Sequence, residues 1–157
     1  MMHQRAHAAR LLDSALATGA LVTIATGGAL IGLGVREGEA SRVFRLVGRT
    51  VLERIGVASG AAPLTSVALG YLHHLVIATL WGVLIGMLVL PLRGGVRVLA
   101  AIVAAVAYGL FATRWIPPAL RIGFSVTSNV PAAVPIAVAL LVALLGGVWL
   151  AATETRS

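Results

Sequence analysis

Long runs of apolar residues, separated by short polar stretches, dominate the chain. Four of these runs are long enough to cross a bilayer, because about 20 helical residues with a rise of ~1.5 Å each span its hydrocarbon core. They cover residues 9–35, 64–92, 96–115 and 131–152. Backbone polar groups inside a bilayer must be paired within the protein, and the runs lack the alternating polarity of a membrane β-barrel. The pattern predicts an all-α integral membrane protein with four transmembrane helices.

Residues 40–58, between the first two runs, have a different pattern. At helical spacing, one face is apolar, with Val43, Phe44, Val47, Val51 and Ile55. The opposite face carries Arg42, Arg45 and Arg49. This pattern predicts an amphipathic helix parallel to the membrane plane, either among the lipid headgroups with its arginines on phosphates or packed across the end of the bundle. Gly60 and Pro63 are expected to mark its end and the start of the second span.

Composition supports a membrane protein of one domain, residues 1–157. The chain is 59% hydrophobic and 11% charged, whereas soluble domains carry about 25% charged residues. The length leaves no hydrophilic block for a second domain. The absence of cysteine excludes disulfides, thiolate metal sites and cysteine nucleophiles.

The basic residues of this chain, with a net charge of +7, are all arginines and lie at the ends of apolar runs or in the amphipathic segment. They therefore indicate membrane orientation and lipid headgroups rather than a nucleic-acid partner. Arg93 and Arg97 occupy the short loop between the second and third spans, which favours the cytoplasmic side for that loop and for both termini. In composition the chain resembles small Ala/Gly/Leu/Val/Arg-rich membrane proteins of high-GC bacteria, which implies a bacterial inner membrane.

Each predicted span carries two small residues four positions apart. The pairs are Gly28 and Gly32, Gly82 and Gly86, Ala105 and Gly109, and Ala143 and Gly147. Small residues at this spacing let helix backbones approach closely within a membrane. The pairs are therefore expected to serve packing within the bundle or docking onto a membrane-protein partner, including a second copy of the chain.

An adjacent pair, His73 and His74, lies within the second apolar run. Ionisable residues in a membrane segment are costly and are candidates for function. Because adjacent residues point about 100° apart on a helix, the two histidines are expected to face different surfaces. The threonines of span one and Tyr108 are candidate hydrogen-bond partners. No metal site is predicted, because no carboxylate lies near this run.

Gly70 precedes His74 by four residues and would leave room for a flat macrocycle beside the imidazole. This spacing resembles the small-x-x-x-His pattern of light-harvesting antenna helices over five residues. The resemblance implies that His73 or His74 is an axial ligand to haem or a (bacterio)chlorophyll. The alternatives are a structural role for the histidines and the handling of protons or quinones.

Three functions remain open from the sequence. The favoured one is a small non-catalytic accessory or scaffold subunit of a larger membrane complex, since the chain has few polar groups at depth and shows no catalytic motif. The second is a cofactor-binding protein in a respiratory or photosynthetic assembly. The third is a small oligomeric transporter or channel. Pro117 and Pro118 are expected to end the third span and to begin a loop over residues 116–130.

Overall fold

The computed structural model describes residues 2–57, 62–89, 91–92, 94–112 and 114–122, and this part of the chain contains no β-strand. The helices are α1 (Met2–Arg36), α2 (Arg42–Arg54), α3 (Pro63–Val89) and α4 (Gly94–Ala112), and a short 3-10 helix follows at Pro118–Leu120. The predicted all-α class is confirmed.

Two segments are apolar and long enough to cross a membrane, Leu12–Arg36 in α1 and Pro63–Val89 in α3. They correspond to the first two predicted spans. The third predicted span forms α4, whose apolar part, Gly94–Tyr108, is shorter than a full crossing. The fourth, residues 131–152, lies outside the described residues. A bundle of four spans therefore stays a prediction.

The helix α3 is central, and α1 runs antiparallel to it. Gly19 lies against Gly82, and Ala15, four residues earlier on α1, lies against Gly86, four residues later on α3. A Cβ atom added to Gly82 would lie 2.5 Å from the Cα atom of Gly19. Because glycine has no side chain, the two backbones come into contact here. Small residues allow the same close approach in pairs of membrane helices.

The helix α2 packs along the first third of α3, also antiparallel to it. A Cβ atom on Gly48 would lie 1.7 Å from the carbonyl oxygen of Ser66, and one on Gly70 would lie 1.8 Å from that of Phe44. The buried residues of α2 face this contact: Val43, Phe44, Val47, Gly48 and Leu52.

This packing shows what the apolar face of α2 contacts. The face is covered by α3, so it packs against a helix instead of facing lipid, and the placement of α2 parallel to the membrane plane stays a prediction. Gly48 and Gly70 are the physical reason for the packing of α2 on α3. They permit a close backbone contact that the spacing of apolar residues did not reveal. Ile55, assigned to the apolar face, is exposed.

Glycines with positive φ end both α1 and α2. Gly38, with φ +88°, follows α1, and Gly56, with φ +77°, follows α2. In each case the residue after the glycine donates its N–H to the carbonyl five positions earlier. Glu39 donates to Gly34, and Val57 donates to Leu52. This hydrogen bond defines the Schellman motif. The helix α2 therefore ends at Arg54 under the control of Gly56, before the predicted end near Gly60.

Candidate functional site

A stripe along α3, made of small residues and one histidine, organises the packing of the described helices. It contains every fourth residue, and all of them are buried: Ser66, Gly70, His74, Ala78, Gly82 and Gly86. Such a stripe drifts by about 40° around the axis at each step, because successive residues turn by about 100°. One straight helix cannot cover it all, so α1 packs on the Gly82–Gly86 part and α2 on the Ser66–Gly70 part. His74 lies between the two parts.

The side chain of His74 is 3% exposed and joins α3 to α1. Its Nε2 atom lies 3.2 Å from the carbonyl oxygen of Thr23 and 3.2 Å from Oγ1 of Thr26. A carbonyl oxygen can only accept, so Nε2 carries the proton and donates. The Thr26 hydroxyl donates to the carbonyl of Val22 at 2.7 Å and can therefore accept from the imidazole. The predicted threonine partner of a histidine is confirmed for Thr26.

The space beside Gly70, which was expected to admit a macrocycle, is filled by the backbone of α2 at Phe44. The Phe44 ring also contacts the edge of the His74 imidazole, with 5.7 Å between ring centroids. Axial ligation through Nε2 of His74 would require this atom to leave Thr23 and Thr26. The Nδ1 atom of His74 is buried and has no hydrogen-bond partner among the described residues. Haem or chlorin binding through this residue stays a prediction, and this face offers no room for the ring.

His73 faces a different surface from His74, as the spacing on the helix predicted. Its Nε2 atom lies 2.9 Å from the carbonyl oxygen of Ala119, in the segment that follows α4. The carbonyl fixes Nε2 as the donor here too. The atom through which His73 would ligate a cofactor is therefore also engaged by a backbone oxygen.

Two aromatic residues hold the same segment against α3 and α4. The indole of Trp81 donates to the carbonyl of Leu120 at 2.7 Å. The backbone N–H of Ile122 donates to the phenol oxygen of Tyr108 at 2.8 Å. The rings of Trp81 and Tyr108 contact one another with centroids 4.8 Å apart. Ile122 is buried in the main core cluster.

The first part of the predicted loop 116–130 is thus a packed element, because residues 119–122 fold back along the helices. His73 and Trp81 donate to the carbonyl oxygens of Ala119 and Leu120 at the end of the 3-10 helix, and these bonds tie the exposed segment to α3. The rest of the predicted loop lies outside the described residues.

An apolar groove of about 430 Å³ opens between α1 and α3. Its walls include Ile24, Gly28 and Ile31 of α1 and Tyr71 and Leu75 of α3. His74 lies at its floor, but the exposed surface of the groove is nearly all apolar. The groove therefore suits a hydrocarbon group or an apolar side chain, and it presents no polar anchor beside the histidine.

The predicted small-residue pairs have different surroundings. Gly82 and Gly86 are buried against α1 and serve packing within the molecule. Gly28 and Gly32 are exposed, and a Cβ atom at either position would meet none of the residues that the structure describes within 4 Å. The surroundings of Ala105 and Gly109 are not described. Ala143 and Gly147 lie outside the described residues.

The predicted headgroup arginines lie on the side of α2 away from α3. Arg42 pairs with Glu37, with Nε and Oε2 3.3 Å apart, and Arg45 pairs with Glu39. Arg49 is exposed. Among the residues that the structure describes, no group of three or more histidines and carboxylates could hold a metal ion.

Sequence reasoning missed the most constrained contacts of this site. Gly48 was not identified, and Gly70 was assigned to a ligand instead of to α2. The repeat of a small residue at every fourth position of α3, from Ser66 to Gly86, was the signal that could have located the contact. The bonds to the carbonyls of Ala119 and Leu120 have no sequence signal, because every residue carries such an oxygen.

No protein-family model, curated protein or solved structure matches this chain.

Proposed function

We propose that this chain is a small non-catalytic subunit of a membrane protein complex, and that it binds a helix of its partner through the face of α1 that carries Gly28 and Gly32. The observation that carries the proposal is the contrast between two sets of glycines. Gly19 and Gly82 are in backbone contact across α1 and α3, whereas no residue in the described part of the chain covers Gly28 or Gly32.

The open glycine pair has the spacing at which helices pack closely in membranes. Glycines reduce the distance between helix axes, so that two helices gain close packing along their whole contact. The surrounding side chains are apolar and exposed, with Ile24 at 72% and Val35 at 60% exposure. A partner helix would pack its backbone over the two glycines and its side chains against these neighbours.

The apolar groove adjoins the same face, since Gly28 and Ile31 form part of its wall. An apolar side chain of the partner helix can enter it and contact Leu75 on α3. The groove thereby extends the docking surface from α1 to α3. An apolar side chain of the partner helix in this groove would fix the position of that helix along α1.

A non-catalytic role agrees with the hydrogen bonds that the polar side chains between the helices make. The Thr23 and Thr79 hydroxyls bond to each other at 2.9 Å, and His74 bonds to α1. His73 and Trp81 bond to backbone carbonyls. These groups stabilise helix contacts in the described part of the chain, which leaves the protein to act through its surface.

The proposal includes a topology of four spans, formed by α1, α3, α4 and residues 131–152, in a bacterial inner membrane. The short connection between α3 and α4, with Arg97 in the first turn of α4, faces the cytoplasm together with both termini. The arginine face of α2 contacts lipid headgroups on the opposite side, with Arg42 and Arg49 as exposed members. Reporter fusions at the N-terminus and after Arg54 test the sidedness.

The docking proposal is tested by purifying the tagged chain from its native membranes in mild detergent, with Gly28→Ile plus Gly32→Ile as the variant. The wild-type chain is expected to carry a stoichiometric companion, and the variant is expected to lose it. Ala68→Ile is the matched control, because Ala68 is a small exposed residue on α3. Retention of the same companion by the glycine variant would overturn the proposal.

A companion with the mass of the chain itself means that the same face joins two copies. In that case the wild type, purified alone, is a dimer in detergent and the glycine variant is a monomer. A wild type without any companion, in native membranes and in isolation, also contradicts the proposal.

A further inference from the structure

Several charged side chains surround the first third of α3. The ion pairs Arg42–Glu37 and Arg45–Glu39 are both on or beside α2. The packing of Phe44 on Gly70 and of Gly48 on Ser66 fixes their level along α3. Arg45 therefore lies between the two contacts, beside residues 66–70 of the Pro63–Val89 segment, and Arg42 lies about half a turn beyond Gly70.

Charged side chains are not stable in hydrocarbon at that level. Placing an arginine or a carboxylate in the bilayer core costs several kcal/mol, even when it is paired. Arg42 and Glu37 remain about half exposed, at 45% and 44% of their side chains. The bilayer core must therefore exclude this level of α3, although the sequence of α3 is apolar throughout.

The remainder of α3 has the length of a complete span. From His73 to Val89 there are about 17 helical residues, which cover about 25 Å at the rise of an α-helix and reach the short end of the range for a transmembrane helix. They contain no Asp, Glu or Arg, and Arg93 follows four residues later. On α1, the matching level begins at Thr26 and Gly27, which contact His74, and Asp13 lies near the other end.

We propose that the hydrocarbon belt of this protein begins at His73 and His74, and that Pro63–Leu72 of α3 stands outside it together with α2 as a helical hairpin among phospholipid headgroups. The partner of this hairpin surface is the headgroup layer, and acyl chains contact α3 only beyond the histidines. The imidazoles then lie at the boundary, where their bonds to Thr23 and Ala119 close the bundle on one side.

The boundary also locates the docking face of α1. Gly28 is at the level of the histidines, and Gly32 lies one turn farther out. A partner helix that packs over both glycines would meet α1 where the protein leaves the hydrocarbon. The boundary itself does not depend on this docking, since it follows from charges and lengths within one chain.

The chain contains no cysteine, so single cysteines can report the boundary without a background. Six positions of α3 are four residues apart and exposed in the structure: Leu64, Ala68, Leu72, Val76, Leu80 and Leu84. Each is replaced by cysteine, and the purified chain is reconstituted in phosphatidylcholine vesicles. A charged maleimide is loaded on both sides of the membrane by freeze–thaw.

Maleimide reacts with the thiolate, which forms in water and not in hydrocarbon. Cysteines at 64 and 68 are expected to react at least about tenfold faster than those at 80 and 84, with the step between 72 and 76. Equal reaction of all six after denaturation in dodecyl sulfate is the control. Protection at 64 and 68, or fast reaction at 80 and 84, would overturn the proposed boundary and leave the docking proposal untouched.

Discussion

The Nε2 atom of His74 lies 3.2 Å from the carbonyl oxygen of Thr23, so a buried imidazole on α3 donates a hydrogen bond to the backbone of α1. The bond joins the two helices between the part of the small-residue stripe that α1 covers and the part that α2 covers. It also gives the imidazole a defined tautomer, with the proton on Nε2. The histidine is therefore a structural link between helices.

Replacing His74 tests this link. His74→Ala removes the donor and leaves unfilled space, and we expect a loss of roughly 2 kcal/mol of unfolding free energy, about half of it from the hydrogen bond. His74→Gln retains an N–H donor at a similar reach, so its loss is expected to be smaller. Thermal unfolding in detergent, followed by circular dichroism, measures both. Equal losses in the two variants would mean that the bond to Thr23 contributes nothing.

The contact between α2 and α3 depends on glycine. In Gly70→Ala the new Cβ atom would lie 1.8 Å from the backbone oxygen of Phe44, a clash that no rotamer can relieve. We expect a loss of about 3 kcal/mol, as in other overpacked cores. Gly28→Ala is the matched control, because its Cβ atom meets no described neighbour within 4 Å and alanine favours a helix by up to about 1 kcal/mol. A Gly70→Ala protein as stable as the control would contradict the close approach of the helices.

The hydroxyls of Thr23 and Thr79 bond across the α1–α3 contact at 2.9 Å. A double-mutant cycle with Thr23→Val and Thr79→Val is expected to give a coupling energy of about 0.6 kcal/mol, the average for such bonds in membrane proteins. Thr18 serves as the control, because its hydroxyl bonds to the carbonyl of Ser14 within α1. The cycle of Thr18→Val with Thr79→Val should show no coupling, and the same value in both cycles would refute a specific bond.

The segment after α4 is held by side chains. In Tyr108→Phe the N–H of Ile122 loses the phenol oxygen that accepts its hydrogen bond. We expect the Ile122 amide to exchange with deuterium about fivefold faster, which corresponds to a bond of about 1 kcal/mol. Tyr71→Phe removes a phenol hydroxyl from the outer side of α3 and should leave that amide unchanged. Unchanged exchange in Tyr108→Phe would show that Ile122 is protected by burial alone.

The helices themselves could be predicted from the sequence, because the apolar runs of α1 and α3 need only local information. The helical spacing also indicated that α2 has one apolar face. It could not indicate what covers that face, since lipid and a neighbouring helix select the same apolar residues. The contact with α3 depends on Gly48 lying against Ser66. Such a contact is a property of the two packed helices together, so the sequence of one helix does not show it.

The candidate site was predictable only in part. The pair of histidines in an apolar run indicated residues of interest, and the threonines of α1 indicated a partner. The bonds of His73 and Trp81 to the carbonyls of residues 119 and 120 depend on a segment that returns against α3 from far along the chain. Backbone carbonyl acceptors have no sequence signature, so only the folded structure shows which of them accept these hydrogen bonds.

Cross-linking from the open glycine face tests the proposed function most directly. Gly32→Cys is introduced into the cysteine-free chain, where no atom of residues 2–57, 62–89, 91–92, 94–112 or 114–122 restricts the new side chain, and Ala68→Cys is the matched exposed position on α3. Native membranes are treated with a short thiol-to-amine or photoactivated cross-linker, and the products are identified by mass spectrometry. The docking proposal predicts one defined adduct, from position 32 and not from position 68. No adduct from position 32, or the same adducts from both positions, would contradict it.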